Sequence, residues 1–311
     1  MIFADRYRHR IALPDCLTVA PFCLWILVAL GCSHPKPQFD PDRAFRDLVT
    51  QTQFGPRVPG SDAHARCAEW LLAQLQTVAD SVWEQDFTGY SPGAGDSVPM
   101  VNIVARFGGD ASRRVLVSAH WDTRPFADMD PDSSKHGRHF DGANDGGSGV
   151  AVLLEMARCL DSLPPPIGVD FVFYDGEDGG DYQNAPGTWC LGSRYFASHL
   201  PGKYQWAINL DMVGDADLRL PQEGYSLKLA RPTVERLWAL ASRLGETAFA
   251  PEPGQVVFDD HVPLLMHGIP AVDVIDLDYP YWHTTGDTAE HCSASSLGTV
   301  GRVVLEMMYS E

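Results

Sequence analysis

Apolar positions along the chain follow two spacings, and the switch between them marks its elements. Cys67, Trp70, Leu71, Leu75 and Val78 recur at helical intervals, with Ser61 placed to cap the helix they predict. Asp40-Pro41 reads as a cap and a first-turn proline leading into Phe45, Leu48 and Val49. Val150, Leu153, Leu154, Ala157 and Leu160 form one face of a helix over 148–160, and residues 297–308 make a closing helix. Short apolar runs near 82–87, 100–107, 115–119, 169–174, 206–210 and 269–275 predict strands. Segments 91–99 and 125–138 read as loops. Strands alternate with helices from about residue 100 onward, which predicts one α/β domain over 40–311 with helices on both faces of a sheet.

The first residues break this plan. Arg6, Arg8 and Arg10 precede an almost wholly apolar run over 16–30, the layout of an export signal. The run is short for a membrane span, and Pro21 interrupts it. Ala29-Leu30-Gly31-Cys32 follows and resembles the lipobox of bacterial lipoproteins. That resemblance implies a signal over 1–31, a lipid on Cys32 and a tether over 32–39; an ordinary signal peptide or an uncleaved anchor is the alternative. The expectation is an exported protein, periplasmic or anchored to an outer membrane, that meets the membrane only through Cys32.

Hydrophobic residues make up 45% of the chain, enough to bury a large core and to exclude global disorder. Against 41 acidic residues stand 23 basic ones, and the net charge of −18 repels nucleic-acid backbones. Without residues 1–31 the balance is 20 basic to 39 acidic, so the acidity belongs to the folded part. Cys67, Cys159, Cys190 and Cys292 follow Cys32; they are too few for a disulfide scaffold and show no paired Cys-x-x-Cys. In an oxidising compartment up to two disulfides can form among these four, with the pairing open. Nothing in the sequence marks an oligomeric state.

Candidate chemistry lies where strands stop. His120 and Asp122 follow one apolar run, Glu177 and Asp178 another, and Asp211 a third. Asp145 sits in the glycine-rich turn Gly142-Ala143-Asn144-Asp145-Gly146-Gly147-Ser148-Gly149 before a helix, and His283 follows the last strand. Ligands of open α/β sheets bind beyond the carboxyl ends of the strands. Histidine with carboxylates suits zinc or a similar divalent ion. Each residue alone reads as a cap or turn; the ordered combination points to a metal site.

The series His-x-Asp, Gly-Ala-Asn-Asp-Gly-Gly-Ser-Gly, Asp-Gly-Glu-Asp, Asn-Leu-Asp-Met-Val-Gly, Asp-Asp-His-Val-Pro and Trp-His-Thr resembles the zinc aminopeptidase superfamily. Within it the chain, from about residue 40 to its end, is most similar to glutaminyl cyclases, particularly bacterial ones of animal type. The resemblance implies a zinc-aminopeptidase-like α/β fold with a central mixed, mostly parallel sheet. It also implies one zinc per chain on Asp145, Asp178 and His283. Two-metal aminopeptidases add a second ion on His120 and Asp211 with Asp145 as the bridge, and both residue sets are present. Asp178 stands where the family often has Glu.

Asp259 before Asp260-His261, Trp282 before His283, and Gly268-Ile269-Pro270 tilt the resemblance toward the cyclases. Asp259 reads alternatively as a cap for a helix over 260–267, and Trp282 as a core aromatic. Asp273 departs from the histidine of animal cyclases, and 179–192, with Trp189, differs from them as well. The resemblance implies conversion of amino-terminal glutamine in peptides or proteins to pyroglutamate with release of ammonia. Glu177 then shuttles the proton, Asp211 and Asp259 share one, and Trp282 and His120 belong to the substrate pocket. Hydrolytic release of the first residue by a zinc aminopeptidase is the alternative.

Overall fold

The computed structural model describes residues 36–180 and 187–311; the leader and Cys32 lie outside the described residues. Asp40 caps α1 (Pro41–Thr52) by accepting from the Arg43 amide at 3.0 Å. Ser61 caps α2 (Asp62–Leu75) through the His64 amide at 3.1 Å. A hairpin of β1 (Ser81–Ser91) and β2 (Asp96–Phe107) follows. It corrects the loop expected over 91–99, because Ser91 pairs with Asp96 and only residues 92–95 turn. The strand escapes notice in the sequence because its far end is polar and faces water.

The chain continues through β3 (Arg114–His120), α3 (Gly147–Ser162), β4 (Gly168–Tyr174), α4 (Leu191–Ser198) and β5 (Ala207–Asp211). Between β3 and α3, the segment read as a loop holds one short 3-10 turn, Ser133–Lys135. Then come β6 (Leu220–Gln222), α5 (Gly224–Leu229), α6 (Arg231–Leu244), β7 (Phe249–Pro253), α7 (His261–Met266), β8 (Ala271–Ile275) and α8 (Ala294–Tyr309). The sequence reading passes over α6, although its buried Val234, Leu237, Trp238 and Ala241 keep a helical period.

Six strands form the main sheet in the order β1-β2-β4-β3-β5-β8. Strands β4, β3, β5 and β8 are parallel, whereas β2 is antiparallel to both β1 and β4. Side chains alternate between two cores. Val115, Val117, Ala119, Phe171 and Phe173 join the core of α1, α3, α6 and α8, while Leu116, Val172 and Tyr174 join the one packed by α4 and α7. Burial on both faces explains why 115–119 and 169–174 read as unbroken apolar runs. Gly149 brings α3 against the sheet, since a Cβ there would lie 2.3 Å from the Leu210 carbonyl oxygen. Among the described residues no helix is long and apolar enough to cross a membrane.

Candidate active site

Parallel strands aim their carboxyl ends the same way, so the residues that end them meet. His120 ends β3, Glu177 and Asp178 lie just beyond β4, Asp211 ends β5, and His283 follows β8. Asp145 reaches the same place from the turn before α3. His283 Nε2 lies 3.1 Å from Asp178 and 3.4 Å from Asp145. His120 Nε2 lies 3.1 Å from Asp145 and 3.2 Å from Asp211. Two triads therefore share Asp145: Asp145-Asp178-His283 and His120-Asp145-Asp211, the potential ligand atoms of each within 4.8 Å of one another.

The first triad fits a divalent cation. Asp178 Oδ2 is a buried acceptor without a donor among the described residues, while Asp178 Oδ1 and Asp145 Oδ2 lie toward the ring nitrogen of His283. Two carboxylates and an imidazole are a donor set that zinc accepts. Burial lowers the affinity of His283 for a proton, but Asp178 and Asp145 outweigh it and bring the imidazole to about 9. A bound cation would take that proton's place. His120 also stays well above its usual value: burial opposes protonation, and hydrogen bonds to Asp122, Asp145 and Asp211 prevail.

The cleft above these groups has an acidic floor and apolar walls. Asp145, Glu177, Asp178, Asp211 and Asp259 line it together with Met212, Val257, Phe258, Ile275, Leu277 and Trp282. The Trp282 ring centroid is 4.1 Å from that of His283, so this tryptophan faces the cleft and not only the core. His120 does not line the cleft; it is 1% exposed and enclosed by its three carboxylates. Burial drives Glu177 well above the ordinary carboxyl range, opposed by His120 and reinforced by Asp178, Asp259 and Asp260. Asp211 rises to about 7 through burial, with the His120 hydrogen bond opposing and Asp259 adding to it.

Asp259 does not cap α7 with its side chain. Its Oδ1 accepts from the Asp260 amide, and its Oδ2 from Asn209 Nδ2 at 3.2 Å. The same Asn209 nitrogen donates to Asp273 at 3.2 Å. Asp273 thus lies behind Asp259, with its Oδ2 3.4 Å from His261, whose other ring nitrogen meets Glu223 at 3.1 Å. Burial, Asp259 and Glu223 hold the Asp273 carboxyl well above its usual range.

Several supporting residues escape sequence reasoning. Asp122, named with His120 as a candidate ligand at a strand end, stays 3.5 Å from His120 Nδ1 but joins neither triad, and it accepts from the amides of Glu177 at 3.0 Å and Asp178 at 3.2 Å. Asp287 does the same for Asn144 at 2.8 Å and Asp145 at 3.1 Å. Each buried carboxylate fixes one ligand-bearing turn. Arg57, fully buried, donates to the carbonyls of Trp121, Asp141 and Gly142 and ties the glycine-rich turn to the end of β3. Arg124 reaches the Asp178 and Gly180 carbonyls and lies over Trp189 with 5.0 Å to the ring centroid. No local spacing signals these contacts, because each partner comes from a distant segment. Cys67, Cys159, Cys190 and Cys292 are buried free thiols, so the disulfides considered from the sequence do not form among them. A second groove, bordered by Phe39, Leu305 and Tyr309, lies away from the acidic cleft.

Parallel strands ending in this two-triad site define a class: residues 102–308 match peptidase family M28, and the chain belongs to that family. More particular likenesses include both cyclases and an exopeptidase. Glutaminyl cyclase of Tannerella forsythia is 40% identical and superposes with a TM-score of 0.85 over 88% of this chain and 100% of that one. A Zn-dependent exopeptidase from Parabacteroides distasonis is 37% identical, with a TM-score of 0.86 over 89% of this chain and 100% of that one. Glutaminyl-peptide cyclotransferase of Bos taurus is 26% identical over 80% of this chain and 76% of its own length.

Proposed function

We propose that this protein is a zinc-dependent glutaminyl-peptide cyclotransferase, which closes the amino-terminal glutamine of a peptide or protein to pyroglutamate and releases ammonia. The observation that carries the reading is the setting of Glu177. Its carboxyl is buried beside Asp259 at the foot of a cleft walled by Trp282. Likeness to the Tannerella forsythia cyclase over nearly the whole described chain supports it.

One zinc, held by Asp145, Asp178 and His283, would polarise the side-chain amide oxygen of the substrate glutamine. Glu177 takes a proton from the α-amine as its nitrogen bonds to the side-chain amide carbon. It returns that proton to the amide nitrogen, the old C–N bond breaks, and ammonia departs. Asp211 and Asp259 border the same space and accept hydrogen bonds from the amine and the nascent ammonia. Trp282 walls the cleft and folds the side chain back toward its own amine, which raises the effective concentration of the attacking group. The attack is intramolecular, so no water nucleophile is required.

Hydrolysis of the first peptide bond is the second reading. It is favoured by one observation: His120, Asp145 and Asp211 form a further buried ligand set next to the first. A peptide beginning with Gln separates the two when ammonia and free amino acid are followed together. Pyroglutamyl peptide plus ammonia, with about one zinc per chain, supports cyclisation. Free first residues, released from Leu and Ala peptides as well, would establish the peptidase instead. Our reading includes export on a lipidated Cys32, supported by the basic and apolar leader. Mass spectrometry should find an acylated Cys32 at the amino terminus, and an intact Met1 would refute this.

A further inference from the structure

Cys190 is a buried thiol outside the metal set, and its side chain points at Glu177. Its Sγ lies 3.3 Å from Glu177 Oε1, and it is 0% exposed. Its S–H donates to that carboxylate. The backbone enforces the approach. The Cys190 amide donates to the Glu177 carbonyl at 3.0 Å and the Leu191 amide to the Gly176 carbonyl at 3.0 Å, so residues 190–191 are pinned onto 176–177. Cys190 also adopts a left-handed conformation, φ 56°, which an L residue with a side chain rarely takes without an imposed constraint. Sequence reasoning counts this residue only as a disulfide candidate, yet the structure leaves it a free thiol.

We infer that Cys190 is a positioning residue for the cyclisation, its S–H holding the Glu177 carboxylate at the orientation from which the proton is taken and returned. The inference rests on the reading of Glu177 as the proton shuttle. The chemistry suits a thiol. A thiol is a weak donor, so it fixes a carboxylate without strongly stabilising the charged form that has to accept a proton. Burial and the nearby Glu177, Asp260 and Asp259 push the Cys190 thiol well above its usual range, so the donor hydrogen stays in place. An apolar side chain of similar volume would fill the space but leave the carboxylate to rotate.

Two measurements test this on the full-length, zinc-loaded protein. In steady-state kinetics with a Gln-initiated peptide, Cys190→Ala should lower kcat about three- to tenfold, with KM within about twofold and zinc content unchanged, the effect of one modest hydrogen bond. Cys190→Ser keeps a donor and should recover most of that loss. A wild-type kcat in Cys190→Ala, or equal impairment in Ala and Ser, would overturn the assignment, the latter by showing a packing role. Independently, the Raman S–H band isolated by subtracting the Cys190→Ser spectrum should shift to higher frequency in Glu177→Gln. An unmoved band would show that the contact does not exist. If the wild type makes no pyroglutamate, the functional reading falls, and the Raman band still decides whether the thiol holds Glu177.

Discussion

Asp122 offers a direct test of how the site is held. It is fully buried, it lines no cleft, and its two oxygens accept from the amides of Glu177 and Asp178 at 3.0 and 3.2 Å. Its Oδ1 also lies 3.5 Å from His120 Nδ1. Asp122→Ala would leave two buried amides without acceptors. A hydrogen bond to a charged group contributes roughly 1.5–3 kcal/mol, so the pair amounts to about 3–6 kcal/mol. That is a large share of the roughly 5–15 kcal/mol that stabilises a typical domain. The turn that loosens carries Asp178, and loss of such outer contacts typically weakens metal binding about 10–100-fold. Urea unfolding should therefore show a lower midpoint, chelator competition a weaker zinc affinity, and the peptide assay a lower kcat. Asp122→Asn keeps one accepting oxygen and should fall between wild type and Ala. If Asp122→Ala matches wild type in zinc affinity and unfolding midpoint, the turn is held by other contacts and this account of the site is wrong.

Zinc affinity should rise as pH increases toward about 9 and then level off, because His283, raised to about 9 by Asp178 and Asp145 against burial, must lose its proton to bind; competition with a chelator across pH checks this. Gly149→Ala should cost roughly 1–3 kcal/mol in urea unfolding, since its Cβ would meet the Leu210 carbonyl at 2.3 Å and push α3 off β5; unchanged stability would refute that close approach. Burial raises the Glu223 carboxyl, but the His261 hydrogen bond and charge and the amides of Ser226 and Tyr225 bring it down to about 2. Its folded value lies below the unfolded one, so its contribution is present above about pH 4.5 and lost as pH falls toward 2. Glu223→Gln should flatten the acid limb of a melting-temperature profile over that window.

Much of the architecture was legible because period and capping are local. Asp40, Ser61 and the helix over 148–160 announce themselves within a few residues, and unbroken apolar runs mark β3 and β4. The start of β2 is not legible, because an exposed hairpin end obeys cross-strand pairing and carries no apolar alternation. At the site, residues that end strands could be named from position alone, since parallel strands gather their ends. What lies behind them could not. Asp122 stands out beside His120 only as a candidate ligand and Asp287 looks like any other turn acid, until the fold shows which amides they accept from. Asp273 looks like a missing histidine, and only the sheet register, which sets it opposite Asn209, shows it behind Asp259.

Among the described residues, three other than glycine take left-handed backbone angles: Cys190 at φ 56°, Met212 at 47° and His283 at 52°. All three border the cleft or touch what lines it. Such a conformation costs on the order of 1–3 kcal/mol per residue, which the rest of the molecule must supply. The cleft therefore behaves as a set spring inside a rigid frame. The unfavourable angles lie outside the strands, and these turns would relax if the frame gave way. A molecule that grips His283 and Met212 from the cleft acts as a brace, so tight occupants and general stability become linked quantities in this protein.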